Sequence, residues 1–165
     1  MIYPFSYILF LCHFHGDRDY FECHEILEEH WKRNGKGRNS IWAGLIQIAV
    51  SLYHYRRGNI RGAIKLMAKA IDILGEKRSG LHALGLNHAE LMETLLNSLD
   101  SMKTGKLYTA INLPIQDTEL LAICKERLRM HGYKWGHLND TDEQIVHKHI
   151  ASHLSQKHAK IAVTK

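Results

Sequence analysis

The stretch IWAGLIQIAVSLYHYRR, residues 41–57, constrains the fold more than any other part of the chain. Read with a helical period it is apolar almost all the way round, and such a helix has no face to give to water. It must lie at the centre, with other helices packed around it. Ser40 can cap its first turn and Gly58 can stop it. Nothing elsewhere alternates strictly enough for a strand, and the remaining periodic segments also repeat as helices do. The predicted fold is therefore all-α, a single-domain bundle or array of about six or seven helices with helix-turn-helix hairpins stacked around helices 2–4. A chain of 165 residues is long enough to bury one core of its own.

Cap residues order the rest. Helix one is expected from Pro4 to Phe14, ended by Gly16. Helix two opens at Asp17 or Asp19, with Glu22 completing a capping box after Asp19, and stops at Asn34–Gly35. Asn59 caps helix four, whose Ala63, Leu66, Met67, Ala70, Ile71 and Leu74 make one apolar stripe. Asn87 with Glu90 opens a fifth helix, Asp117 caps a sixth that ends near Gly132, and Thr141 with Gln144 opens a last, His-rich one. This divides the chain into a bundle core at 1–132 and a polar C-terminal helix at 133–165, packed on the core or on a partner subunit.

The net charge of +5 permits acidic partners without demanding them. Tyr53, Arg56 and Arg57 beside RRGNIR form one basic cluster, but no basic and aromatic face recurs, so nucleic acid is not an expected partner. The opening MIYPFSYILFLCHFHG lacks a basic leader and a small-residue cleavage site, and its apolar run is too short to span a bilayer. The three cysteines, Cys12, Cys23 and Cys124, have no paired spacing, which speaks against a disulfide framework and for a reducing cytoplasm. Cys23 is expected to be inert on the core side of helix two. Thirteen histidines are the anomaly in the composition. His149 and His153 are one turn apart in the last helix, where a solvated face is the simplest account.

The stretch DYFECHEILEEHW, residues 19–31, holds the candidate site. With Tyr20 at zero, His24 falls at about 40° and Glu28 at about 80°, on the buried side or its margin, with Glu25 at about 140° on the border. A buried carboxylate requires a partner. Gln47, Ser51 and His54 make a small polar stripe along helix three, and an antiparallel hairpin would set His24 beside it. Three uses of such a polar seam compete: a structural hydrogen-bond network, a metal site of His24, Glu28 and His54 with Glu25 nearby, or a pocket for a small ligand or acid–base chemistry. HEILEEH is not the zincin HExxH, because position 28 is Glu.

The run FHGDRDYFECHEILEEHWK, followed by GLIQIAVSLYHYRRGNIRGAIKLM, resembles the domain of unknown function 309 family, small all-helical proteins of bacteria and archaea without an assigned activity. The likeness is close over about residues 14–74 and looser over 81–100. It implies a helical bundle. The family hallmark, a His, a Glu four residues on and an aromatic three further, falls on His24, Glu28 and Trp31, and metal binding has been suggested for that pattern.

Together these readings describe a cytoplasmic helical module that is expected to be non-catalytic and to associate with itself or a protein partner. Its His/Glu/Gln seam between helices two and three would be structural. The alternative is a ligand- or divalent-metal-binding pocket, with enzymatic use open, built from His24, Glu25, Glu28 and His54. The cofactor is left open, a divalent metal being admitted but not favoured.

Overall fold

The computed structural model describes residues 3–137 and 143–147. Among them the regular structure is helical: α1 Phe5–His15, α2 Tyr20–Arg33, α3 Ile41–Arg56, α4 Ile60–Gly75, α5 Arg78–Ala83, α6 His88–Lys103, α7 Thr118–Met130 and the single turn α8 Glu143–Val146. One antiparallel bridge, Leu86 with Ile115, ties the α5–α6 turn to the segment before α7. No helix among the described residues is long and apolar enough to cross a membrane.

The caps explain where the helices begin. Asp19, Ser40, Asn59 and Asn87 each accept the amide of the third residue on, from Glu22, Ala43, Gly62 and Glu90. Asp117 accepts from Glu119 and Leu120 at the start of α7. These bonds satisfy amides that the helix itself leaves without partners. At the α3–α4 corner Gly58 turns the chain with φ +86°, a conformation open to glycine and strained for other residues.

Helix α3 is central, as its all-round apolarity requires. It packs on α2 along one side and on α4 along the other, and α4 in turn packs on α6, while α1 lies against α2 and α7. Leu45, Ile48, Ala49 and Leu52 are all sealed from solvent. Gly44 faces α4 closely, and a Cβ there would lie 2.5 Å from Leu74 Cδ2 and 2.6 Å from its Cγ.

Three features go beyond the sequence reading. Helix α5 is too short to show a period, and its one fully buried anchor is Leu81. The loop after α6 is not a passive connection: Tyr55 donates its hydroxyl to Lys106 O at 2.5 Å, and the Tyr108 hydroxyl meets that of Tyr20 at 2.5 Å. Finally, residues 133–137, the start of the segment expected to pack on the core or on a partner subunit, lie on the α1–α2 corner. Gly136 N donates to His15 O at 2.8 Å, His137 Nε2 donates to Gly16 O, and Trp135 stacks on the His15 ring at 4.0 Å. Of the expected last helix only Glu143–Val146 falls within the described residues, so Thr141, His149 and His153 lie outside them.

That corner holds two polar groups in the core. Arg18, at φ 56°, is 1% exposed. It donates to Phe14 O, Ile111 O, Asn112 Oδ1 and twice to His137 O, at 2.6 to 3.2 Å. His15 is fully buried; its Nδ1 donates to Leu11 O at 2.8 Å and its Nε2 accepts from Leu113 N at 2.9 Å. Those bonds define a neutral imidazole with its proton on Nδ1. Burial pushes its pKa down to about 3.

Candidate functional site

The Asp19 cap fixes how α2 enters the bundle, and with it which residues face in. Tyr20, Cys23 and Leu27 are fully buried. Arg56 holds Tyr20 from the α3 side, its guanidinium 4.6 Å above the ring and its Nη1 donating to Arg18 O at 2.7 Å. The next residues round the helix are His24 and Glu28, and their side chains are 30% and 32% exposed. They lie at the margin of the buried face and not within it.

His24 sits between two carboxylates of its own helix. Its Nε2 is 3.3 Å from Glu28 Oε2 and its Nδ1 3.5 Å from Glu25 Oε1, while Lys32 Nζ is 3.5 Å from the other Glu28 oxygen. Glu25 is 50% exposed. One donor atom each from His24, Glu25 and Glu28 can be chosen so that all lie within 4.8 Å of one another.

The expected seam across helices two and three is corrected by this arrangement. Ser51 is fully buried but donates to Ala63 O of α4 at 2.7 Å, so it serves the opposite side of α3. Gln47 is half-buried and makes no hydrogen bond to His24 or Glu28 among the described residues. The physical reason is that a helix apolar all round carries no mark of which face meets α2 and which meets α4.

His54 is brought to His24 in another way. The two imidazoles line one open cleft of about 180 Å³ between α2 and α3, with Tyr20, Phe21, Val50 and Tyr53 as its other walls. Phe21 contacts both the His24 ring at 6.2 Å and the Tyr53 ring at 6.3 Å. Arg57 lies over Tyr53 at 5.3 Å. His54 Nδ1 accepts from Asn59 Nδ2 at 3.2 Å, and burial, followed by the charge of Arg57, lowers its pKa. The cleft thus offers aromatic walls and few polar groups, which is the usual character of a small-ligand site.

One imidazole nitrogen and two carboxylate oxygens suit Zn²⁺, Mn²⁺ or Fe²⁺. Tetrahedral bonds of about 2.0–2.1 Å place neighbouring donor atoms about 3.3 Å apart, close to the His24–Glu28 separation of 3.3 Å. The His24–Glu28 pair matches that spacing, a Glu25 oxygen lies within 4.8 Å of it, and Lys32 is the competing cation.

A second cluster, which sequence reasoning passed over, is His13 with Asp17 and Asp19. His13 Nδ1 is 3.1 Å from both Asp17 oxygens, Asp17 Oδ1 also accepts Asp19 N, and Asp19 caps α2. Burial lowers the His13 pKa, but the hydrogen bond and charge of Asp17 outweigh it and the net shift is upward. These carboxylates are already committed to protein donors. The one-turn spacing of His13 and Asp17 was the available signal. Nothing local announced the buried roles of His15 and Arg18, whose remaining partners, beyond Leu11 O and Phe14 O one turn back, come from residues 111–113 and 137.

Comparison with known proteins places the chain in a family. The family described as a domain of unknown function (DUF309) matches residues 7–66, from the first turn of α1 into α4. An uncharacterized protein, YpuF of Bacillus subtilis (strain 168), is 46% identical over 136 residues, covering 82% of this chain and 78% of that protein. No solved structure matches the chain. With likeness of that extent, the chain belongs to the domain of unknown function 309 family.

Proposed function

We propose that this chain is a binding protein that holds a divalent cation at His24, Glu25 and Glu28, at the mouth of the α2–α3 cleft. The observation that carries the reading is the approach of three donor atoms to within 4.8 Å on one solvent-reached stretch of helix. Part exposure matters here. The carboxylates keep some hydration, so assembling two of them around an imidazole needs no deep burial of charge. A cation entering between them replaces the contact between Glu28 and Lys32 with a stronger one, and Lys32, itself 54% exposed, is free to turn into water. The adjoining aromatic cleft then has room for the apolar part of a small ligand whose polar end reaches the cation.

Two further expectations stay with this reading. The working compartment is the cytoplasm, supported by three cysteines that are all free thiols. A second copy or another protein covers part of the surface, supported by Phe5, Leu96, Leu107 and Met130, large apolar side chains left exposed.

A second reading, a non-catalytic interaction module in which His24 and Glu28 are only a surface pair, is favoured by their i,i+4 spacing, which stabilises helices without any ligand. Calorimetric titration of tag-free protein with Zn²⁺ and with Mn²⁺ separates the two. The metal reading expects one equivalent bound with micromolar affinity, lost in His24→Ala and weakened in Glu28→Gln, with circular dichroism unchanged. Binding that survives His24→Ala, or none tighter than millimolar, overturns it and leaves the interaction module.

A further inference from the structure

We infer that Cys12 is an oxidation-sensitive thiol and Cys124 its resolving partner, the two closing to a disulfide between α1 and α7 when a hydroperoxide enters the pocket beside them. This site is separate from the His24 cluster and does not rest on it.

The argument starts from placement. Cys12 and Cys124 are far apart in sequence, yet the packing of α1 on α7 brings them together. Cys12 Sγ donates to Cys124 O at 3.9 Å, across the contact of the two helices. The Cys12 side chain also forms part of the wall of a pocket of about 140 Å³. That pocket is lined on its polar side by His13, Asp17, Arg127 and His131. A thiol becomes a nucleophile as its thiolate, which a neighbouring donor and positive charges favour. Both are present: the hydrogen bond from Cys124 comes first in holding the Cys12 thiol below its ordinary value, followed by Arg127 and His13, against burial and the charge of Asp17. Cys124, as the donor, is pushed up.

The chemistry balances with the hydroperoxide as oxidant. The Cys12 sulfur attacks one peroxide oxygen; an S–O bond forms, the O–O bond breaks, and the leaving alkoxide takes up the proton the thiol has lost. Cys12 is now a sulfenic acid. The Cys124 sulfur then attacks it; an S–S bond forms, the S–O bond breaks, and hydroxide leaves with the Cys124 proton as water. Two thiols are oxidised and one hydroperoxide is reduced to an alcohol and water.

Cys23 provides an internal control. It is fully buried, donates to Phe10 O at 3.6 Å, and burial, followed by nearby Asp17 and Asp19, raises its pKa.

The test uses the full reduced chain, hydrogen peroxide, an alkylating quench and peptide mapping under non-reducing conditions. The expected products are a Cys12–Cys124 cross-link and an unmodified Cys23, with Cys12 consumed at least about tenfold faster than Cys23. In Cys124→Ser, Cys12 stops at the sulfenic acid and is trapped by dimedone; in Cys12→Ser, neither remaining thiol reacts on that timescale. Equal rates at Cys12 and Cys23, or a cross-link that forms only after unfolding in urea, overturn the inference. The unmodified protein decides this even where a variant fails to fold.

Discussion

Acidification should destabilise this protein through His15 before most of its carboxylates titrate. Neutral His15 uses both ring nitrogens, one donating to Leu11 O and the other accepting from Leu113 N. A second proton would abolish the acceptor and strand a charge in the core beside Arg18. The unfolded chain has no such restriction and takes the proton near the ordinary value of 6.5, whereas the folded chain holds it off to about 3. Below pH 6.5 the unfolded state binds more protons, so stability falls with pH, by about 1.4 kcal/mol per unit, until the folded value is reached. Between pH 8 and pH 5 the loss from this one residue is about 2 kcal/mol. That figure is insensitive to the folded value so long as it stays well below 5. Urea unfolding followed by circular dichroism at both pH values, in the native chain and in His15→Phe, isolates the effect. The variant starts less stable, because Leu113 N loses its acceptor, but its difference between the two pH values should shrink by about 2 kcal/mol. His13, whose pKa is raised, acts in the opposite sense: its contribution is complete below 6.5 and lost as pH rises through the higher folded value. His30 and His54 are lowered, chiefly by burial, and act in the same sense as His15. All three are common to both proteins and cancel. Equal pH dependence in the two proteins, within about 0.5 kcal/mol, refutes the reasoning.

Arg18→Met keeps an apolar stem like that of Arg18 but removes all five of its hydrogen bonds; a loss of about 3–5 kcal/mol in urea unfolding is expected, and a loss under about 1 kcal/mol would show that the guanidinium is not holding the corner. Gly44→Ala puts a methyl 2.5 Å from Leu74 Cδ2; crowding of about 1–3 kcal/mol against a helix-propensity gain of about 1 kcal/mol predicts a net loss, which Leu74→Ala in the same chain should partly relieve.

Local signals carried most of the helix order. Each of the five side-chain caps, at Asp19, Ser40, Asn59, Asn87 and Asp117, is a short-range arrangement complete within three residues, and so it can be read directly from the chain. The centrality of α3 was legible for a similar reason, since an all-round apolar helix has one place to go. The site was legible only in part. Wheel angles put His24 and Glu28 on the same margin, which the 3.3 Å separation reflects, but Ser51 turns to Ala63 O instead. A helix surrounded on every side does not reveal its neighbours by periodicity. His15, Arg18 and the Cys12–Cys124 pair were illegible because most of their partners lie about a hundred residues away along the chain and are largely backbone carbonyls and amides, which every residue possesses.

The strap at 133–137 has a practical consequence for anyone shortening the chain. Cutting after Gly132, where α7 ends, would look harmless by helix boundaries. It would instead take away Trp135 from the face of His15, the carbonyl of His137 that receives two of the Arg18 bonds, and the amide of Gly136 that His15 O accepts. A fragment of that length would thus carry a cation and an imidazole at an opened seam, and would be expected to aggregate or to titrate abnormally for reasons unrelated to its helices.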